Sequence, residues 1–313
     1  MNMVAAWLML FLYLAFAWES WCDWLRRAQA RLGDWMVFLL LLPYLLAVGF
    51  QPSVAGLVQM VVFLALPVIL LRLRRPDARP FDLWHILVVL CLWVSIEPSL
   101  FILFADLIAP GAGFGARLAG VRLLPQVDAL LLPGVGLPVD MLTAILLMLY
   151  LFLIYRPLKE IGFSFRWRWR DLRIALLGLG LFMAAGIPTG LAIGFLRFRP
   201  ALPNFTDVVI GIISGYLLVA LPEEVLFRGA IQNMLRQRLK SNWIALLIAA
   251  PIFGLAHLNN ATRGFAAPNW GYVLMASLAG LAYGYVWMHT RKVTAAAITH
   301  MLVNLLWGIL FPS

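Results

Sequence analysis

The sequence predicts an all-α polytopic transmembrane bundle of about ten helices. Three observations carry this. The 313 residues are 64% hydrophobic and 12% charged, with a mean hydropathy of +0.93, whereas soluble domains are roughly half apolar and a quarter charged. The apolar residues fall in runs long enough to cross a bilayer, where helices satisfy their own backbone. Lys and Arg alternate between successive connections, 18 in the odd ones and 5 in the even ones, the pattern that orientation in a membrane produces. The net charge of +10 is therefore read as sidedness, and no nucleic-acid partner is expected.

In chain order the expected helices span 4–18, 35–50, 54–71, 83–106, 141–155, 174–196, 205–235, 242–258, 270–289 and 293–311. The first has Ala15-Phe16-Ala17 as a cleavage-like site. Met1-Asn2-Met3 supplies no positive leader, so 4–18 is kept as a helix rather than a signal peptide. Arg26, Arg27 and Arg31 mark the first basic loop and Arg72 to Arg79 the third. Arg156 to Arg173 mark the fifth, Arg236 to Lys240 the seventh, and Arg291 with Lys292 the ninth. Ten crossings then leave both termini outside and the odd loops cytoplasmic. Cys22 in a basic loop and Cys91 in an apolar run predict neither a disulfide nor a metal site. His85, beside Trp84, reads as an interfacial residue at a membrane edge, and His289, beside Arg291 and Lys292, as a loop-end residue. Glu97 sits before Pro98 inside an apolar run without an assignable role.

The stretch 107–140 is rich in Gly, Pro and Leu and has room for a re-entrant or interfacial piece. It separates two expected domains: 1–140, four helices without an assigned role, and 141–313, which carries the candidate site. Residues 156–173 interleave Phe163, Phe165, Trp167 and Trp169 with arginines. They read as a cytoplasmic interfacial anchor, with a lipid- or substrate-docking surface as the alternative. Gly211 with Gly215, and Ala276 with Gly280 and Gly284, have the four-residue spacing that lets helices approach closely. Pro222 is expected to kink its helix.

Chemistry concentrates in Leu221-Pro222-Glu223-Glu224-Val225-Leu226-Phe227-Arg228-Gly229. An ionised side chain near a bilayer centre costs at least ~2.5–3.5 kcal/mol, so three of them must face a protein interior or a wet cavity. Glu224 and Arg228 are four apart and can pair. Glu223 is turned ~100° away. His257 closes Phe253-Gly254-Leu255-Ala256-His257, and His300 and Asn304 share one face of the last helix. A carboxylate and an imidazole can hold and deprotonate a water, and a histidine with an asparagine can donate to an oxyanion. Ser214 and Ser277 have no base near them in sequence, which favours water attack over an acyl-enzyme. The same residues can instead be structural: an ion-pair network for Glu223, Glu224 and Arg228, a core histidine at 257, interhelical hydrogen bonds at 300 and 304.

Glu-Glu-x-x-x-Arg, Phe-x-x-x-His and His-x-x-x-Asn, in order on three helices, resemble the CPBP intramembrane proteases, the type II CAAX prenyl endopeptidases and their bacterial relatives. The resemblance covers about 141–311. It implies a membrane-embedded cavity opening toward the cytoplasm, with Glu223 as general base and His257 helping to activate the water. His300 and Asn304 would form an oxyanion hole, supported by Glu224, Arg228 and Phe253. It implies endoproteolysis of a membrane-anchored or lipidated substrate by an integral membrane protein, expected in a bacterial inner membrane. No cofactor is required on this reading. Zinc is the alternative, with Glu223, Glu224, His257 and His300 as candidate ligands, although the chain has no His-Glu-x-x-His helix. A non-catalytic scaffold or bacteriocin-immunity protein on the same fold, and a proton-coupled transporter, are the rival functions. No inverted repeat of the motif helices supports a transporter.

Overall fold

A computed structural model describes residues 2–75, 79–96, 124–132 and 135–312. Glu97, Arg117, Arg122 and the expected helix beyond residue 96 lie outside them. The chain divides into two compact units, Met1–Leu158 and Lys159–Ser313.

The first unit holds α1 (Asn2–Ala15), α2 (Glu19–Ala47), α3 (Val54–Leu73), α4 (Leu83–Ile96), a hairpin of β1 (Asp128–Leu132) and β2 (Val135–Pro138), and α5 (Val139–Tyr155). The sequence of α5 is apolar on every side, which a helix tolerates only in a core. Accordingly Leu142 to Phe152 are at most 3% exposed. Asn2 ties α1 to the hairpin: its Nδ2 donates to Asp128 O at 2.9 Å and its Oδ1 accepts from Leu130 N at 2.5 Å.

Three expectations for this unit are corrected. Residues 19–32, read as a basic loop, form the first part of α2, joined through a 3-10 segment, Gly33–Leu40, to Leu41–Ala47. The segment is amphipathic, burying Cys22 and Leu25 while Arg27 and Arg31 stay exposed; a search for apolar runs does not register such a helix. Cys22 is therefore helical and buried, its thiol donating to Phe16 O at 3.3 Å. Within 107–140 the described part is an antiparallel hairpin that pairs Asp128 with Pro138, so a small strand element joins the all-α fold. His85, expected to face the interface, is instead buried in the protein: it is 2% exposed and its Nδ1 lies 3.0 Å from Asp82 Oδ1. Asp82 also receives Arg74 at 2.6 Å.

The second unit comprises α6 (Trp169–Ala192), α7 (Phe205–Leu239), α8 (Asn242–Leu255), α9 (Trp270–Thr290) and α10 (Val293–Leu310). Each of the ten expected helices thus has a counterpart among the described residues. Six are long and apolar enough to cross a membrane, namely α2, α3, α6, α7, α9 and α10; the apolar helices α1, α4, α5 and α8 are shorter. α9 packs against α6, α8 and α10.

The small residues of α9 make that possible. A Cβ on Gly280 would lie 3.1 Å from the Cα and carbonyl oxygen of Ala250 on α8, and one on Gly284 would lie 2.4 Å from Leu246 Cδ1. The other small-residue pair does not behave this way. Gly211 has open space where a Cβ would go, and Gly215 meets only Met301 Cγ at 3.9 Å. Spacing alone does not distinguish a helix face that packs from one that does not.

Residues 159–168 form a strap across the ends of α7 and α10. Asn233 Nδ2 donates to Lys159 O (2.7 Å), Val293 N to Gly162 O (3.2 Å) and Thr294 Oγ1 to Ser164 O (2.6 Å). Ile161 and Phe163 are buried beneath it, while Trp167 and Trp169 are 50% and 66% exposed. The aromatic–basic stretch is therefore part core and part exposed face.

Candidate active site

α7 carries the acidic pair and is not a regular α-helix. After Phe205–Ser214 the turns widen to π-helix over Gly215–Ala220, return to α over Leu221–Glu224, and widen again over Val225–Gln232. Pro222 lacks a backbone N–H and its ring crowds the preceding turn. The expected kink is realised as wide turns on both sides of it, a feature that recurs at functional sites. Every residue from Val225 to Gln232 is buried.

Glu224, Arg228 and Gln232 form a stripe at four-residue spacing toward α9. Arg228 Nη1 donates to Glu224 Oε1 at 3.0 Å and Nη2 to Gly280 O at 3.2 Å. Gln232 Nε2 donates to Gly284 O at 3.2 Å. The two glycines that bring α9 close are thus the two whose carbonyls α7 reads. The Arg228 guanidinium also lies 4.4 Å from the Phe253 ring centre and 5.2 Å from that of Tyr283, an aromatic enclosure that suits a desolvated cation. Arg228 is 2% exposed and Glu224 fully buried.

Glu224 Oε1 is shared. His300 Nδ1 on α10 lies 2.9 Å from it, and a carboxylate in this pair accepts, so Nδ1 carries the proton. The other nitrogen, Nε2, faces Glu223, 3.9 Å from its Oε2. The His300 ring stacks on Tyr283, with centroids 4.5 Å apart at 17°, and meets Phe253 edge-on at 5.8 Å. The Glu223 side chain is 23% exposed, although its Oε2, the atom toward His300, is buried; Glu224 is sealed in the protein, so the two neighbouring carboxylates differ in access.

His257 lies just beyond the end of α8. Its Nδ1 is 2.9 Å from Phe253 O. A carbonyl only accepts, so Nδ1 donates and Nε2 of the neutral ring is left as an acceptor. The ring stacks on Tyr272 at 5.1 Å and touches Phe253 at 4.8 Å. Phe253 therefore contacts both imidazoles and the guanidinium, and its ring is the hub of the site. Asn304 sits one turn beyond His300 on α10 with its side chain exposed.

The structure thus gathers Glu223, Glu224, Arg228, Phe253 and His300, with His257 against the Phe253 ring. Ser214 and Ser277 donate to the helix carbonyls of Ile210 (2.6 Å) and Val273 (2.7 Å), an arrangement that does not present either as a nucleophile. Sequence reasoning missed Tyr283, Tyr272 and Gln232. Gln232 was detectable as the next member of the Glu224–Arg228 spacing. The tyrosines carry no signal in sequence, because they act by stacking on histidines from other helices.

The donor set does not suit zinc. Glu224 Oε1 is already engaged by Arg228 and His300, and His300 turns Nδ1 toward that carboxylate. Among the described residues no group of three or more His, Cys, Asp and Glu side chains converges to hold a metal ion. The four zinc candidates do not form a ligand set in this arrangement.

Residues 205–306 match the family described as Type II CAAX prenyl endopeptidase Rce1-like. No curated protein and no solved structure matches the chain. The matched segment covers less than half of the chain, from the start of α7 into α10, and contains every residue of the candidate site. Over residues 205–306, from α7 into α10, this polytopic helical membrane protein is therefore similar to the type II CAAX prenyl endopeptidase Rce1-like family.

Proposed function

We propose that the protein is an intramembrane endopeptidase that cleaves a membrane-anchored or lipidated protein by activated-water attack. The observation that carries this reading is the unequal access of the two carboxylates within the family-matched segment. Glu223 can meet a water and a substrate carbonyl; Glu224, fully buried and doubly hydrogen-bonded, cannot. Glu223 takes a proton as the water oxygen bonds to the scissile carbonyl carbon. His257 assists by accepting from the same water at Nε2. The carbonyl oxygen becomes an oxyanion, stabilised by donors from α10, His300 Nε2–H and the Asn304 amide. Collapse breaks the C–N bond, and Glu223 returns its proton to the leaving amine.

His300 donates from Nε2 only when both ring nitrogens carry protons, since Glu224 occupies Nδ1–H. Glu224 and Glu223 are then its counter-charges, a role for the buried carboxylate that also explains its pairing with Arg228. No metal is needed for this sequence of steps. The Lys and Arg excess in the odd connections supports placing those connections on the cytoplasmic side; a bacterial inner membrane and access to the site from that side belong to the same proposal.

The test is proteolysis in liposomes, comparing wild type with Glu223→Gln and His257→Ala on membrane-anchored peptides that include prenylated CAAX sequences, with and without o-phenanthroline. Loss of cleavage in both folded variants, with activity kept in chelator, supports the reading. Full cleavage by Glu223→Gln removes Glu223 as base. Inhibition by chelator that zinc reverses replaces the mechanism with a metal-dependent one.

A further inference from the structure

Orientation in the membrane leaves few basic residues on the even connections. Of the five there, the three within the described residues are Arg197, Arg199 and Arg263. All three line one small pocket of about 50 Å³, together with Phe195, Trp307 and Phe311. Among the described residues none of the three guanidiniums has a carboxylate partner. All three are exposed, and like charges gathered around one pocket without a counter-charge repel one another, a repulsion that a bound anion relieves.

The backbone that presents them is fixed. Arg199 N donates to Leu310 O at 3.0 Å and Ala201 N to Ile309 O at 2.8 Å, which pins the Arg197–Arg199 segment to the last turn of α10. Arg263 stands at the tip of a tight turn closed by reciprocal bonds between Thr262 and Phe265 at 2.9 Å. Phe265 in turn packs edge-on against Phe195 at 5.1 Å. Beside the pocket, Phe198, Leu202 and Phe205 are 63%, 89% and 83% exposed. Apolar side chains so exposed at the end of a membrane bundle belong at the bilayer interface, where the abundant anion is a lipid phosphate.

The geometry points to a binding site for the phosphate headgroup of an anionic phospholipid. The three guanidiniums grip the phosphate oxygens, and the aromatic wall of Phe195, Trp307 and Phe311 receives the glycerol and first methylenes. This site is independent of the peptidase reading, since neither its charge nor its walls depend on Glu223 or His300.

The experiment is native mass spectrometry of the full chain released from detergent, titrated with phosphatidylglycerol or phosphatidylcholine of equal chain length. Wild type is expected to bind one phosphatidylglycerol in preference to phosphatidylcholine. Each arginine removed should weaken that binding on the order of fivefold, so that R197Q/R199Q/R263Q loses the preference. Should the triple variant not fold, Arg263→Gln alone, at an exposed turn, carries the same test. Equal affinity for the two lipids in wild type, or an unchanged preference in a folded variant, overturns the proposal. So does displacement of the lipid by millimolar inorganic phosphate, which assigns the pocket to a soluble anion. Displacement by a peptide with a free C-terminal carboxylate, but not by its amide, assigns it to substrate instead.

Discussion

His300 Nδ1 lies 2.9 Å from Glu224 Oε1, and this one contact sets the proton arrangement of the site. The buried carboxylate holds the ring by one nitrogen and turns the other toward Glu223. The two glutamates are adjacent in sequence, yet one is an orienting group and the other the accessible one.

Their substitutions should therefore separate. Glu223→Gln preserves shape and polarity at a partly exposed position, so the melting temperature in detergent is expected to stay within experimental scatter of wild type while cleavage is lost. Glu224→Ala removes the partner of both Arg228 and His300. It should destabilise by about 3–5 kcal/mol, because a buried charge is left uncompensated. A Glu224→Ala protein with wild-type melting behaviour would show that the buried network contributes little.

Arg228 is held by geometry as much as by charge. Its guanidinium reaches Glu224 and Gly280 O from separate nitrogens while lying against the Phe253 ring. A lysine ammonium is a point donor and cannot reproduce that fork. Arg228→Lys is expected to keep the charge but lose yield and thermal stability, and Arg228→Ala to lose more. Thermal melts that rank Lys equal to Arg would reduce the role to simple neutralisation.

The glycines give a third contrast. Gly280→Ala places a methyl against the backbone of Ala250, which cannot move aside without shifting α8. A cost of about 1–3 kcal/mol is expected from such overpacking. Gly211→Ala meets nothing within 4 Å and should be neutral or slightly stabilising, since alanine favours helix. Equal melting temperatures for the two variants would remove the close-approach argument.

Much of this was legible in the sequence. Long apolar runs located the ten helices of the described residues, because burial in lipid or core leaves a composition signal that survives without contacts. Four of the ionisable site residues stood out for the same reason: Glu223, Glu224, Arg228 and His300 interrupt apolar helices that would otherwise not tolerate them. What was not legible depends on how helices meet. The helix at 19–32 has too many charged residues to register as an apolar run, though its 3.6-residue period was there to be read. Gly211 and Gly280 have the same local spacing, and only the neighbour distinguishes them. Which nitrogen of His300 meets which glutamate follows from the register of α10 on α7, and the wide turns around Pro222 set that register.

Asn304 separates a positioned donor from a structural one. It is exposed, one turn beyond His300, so the fold does not rest on it and Asn304→Ala should leave the melting temperature unchanged. An amide that serves only the oxyanion binds the transition state more strongly than the substrate, and its removal lowers kcat without raising KM. The expected loss is about 10²–10³-fold in kcat, the magnitude typical of one missing oxyanion donor. Asn304→Asp is the sharper variant, since it places a carboxylate where negative charge develops; it should be slower than Asn304→Ala although it keeps the size of the side chain. Steady-state cleavage of a membrane-anchored peptide measures both. A variant whose KM rises while kcat holds would make Asn304 a substrate-binding group, and an Asp variant faster than Ala would place it away from the oxyanion.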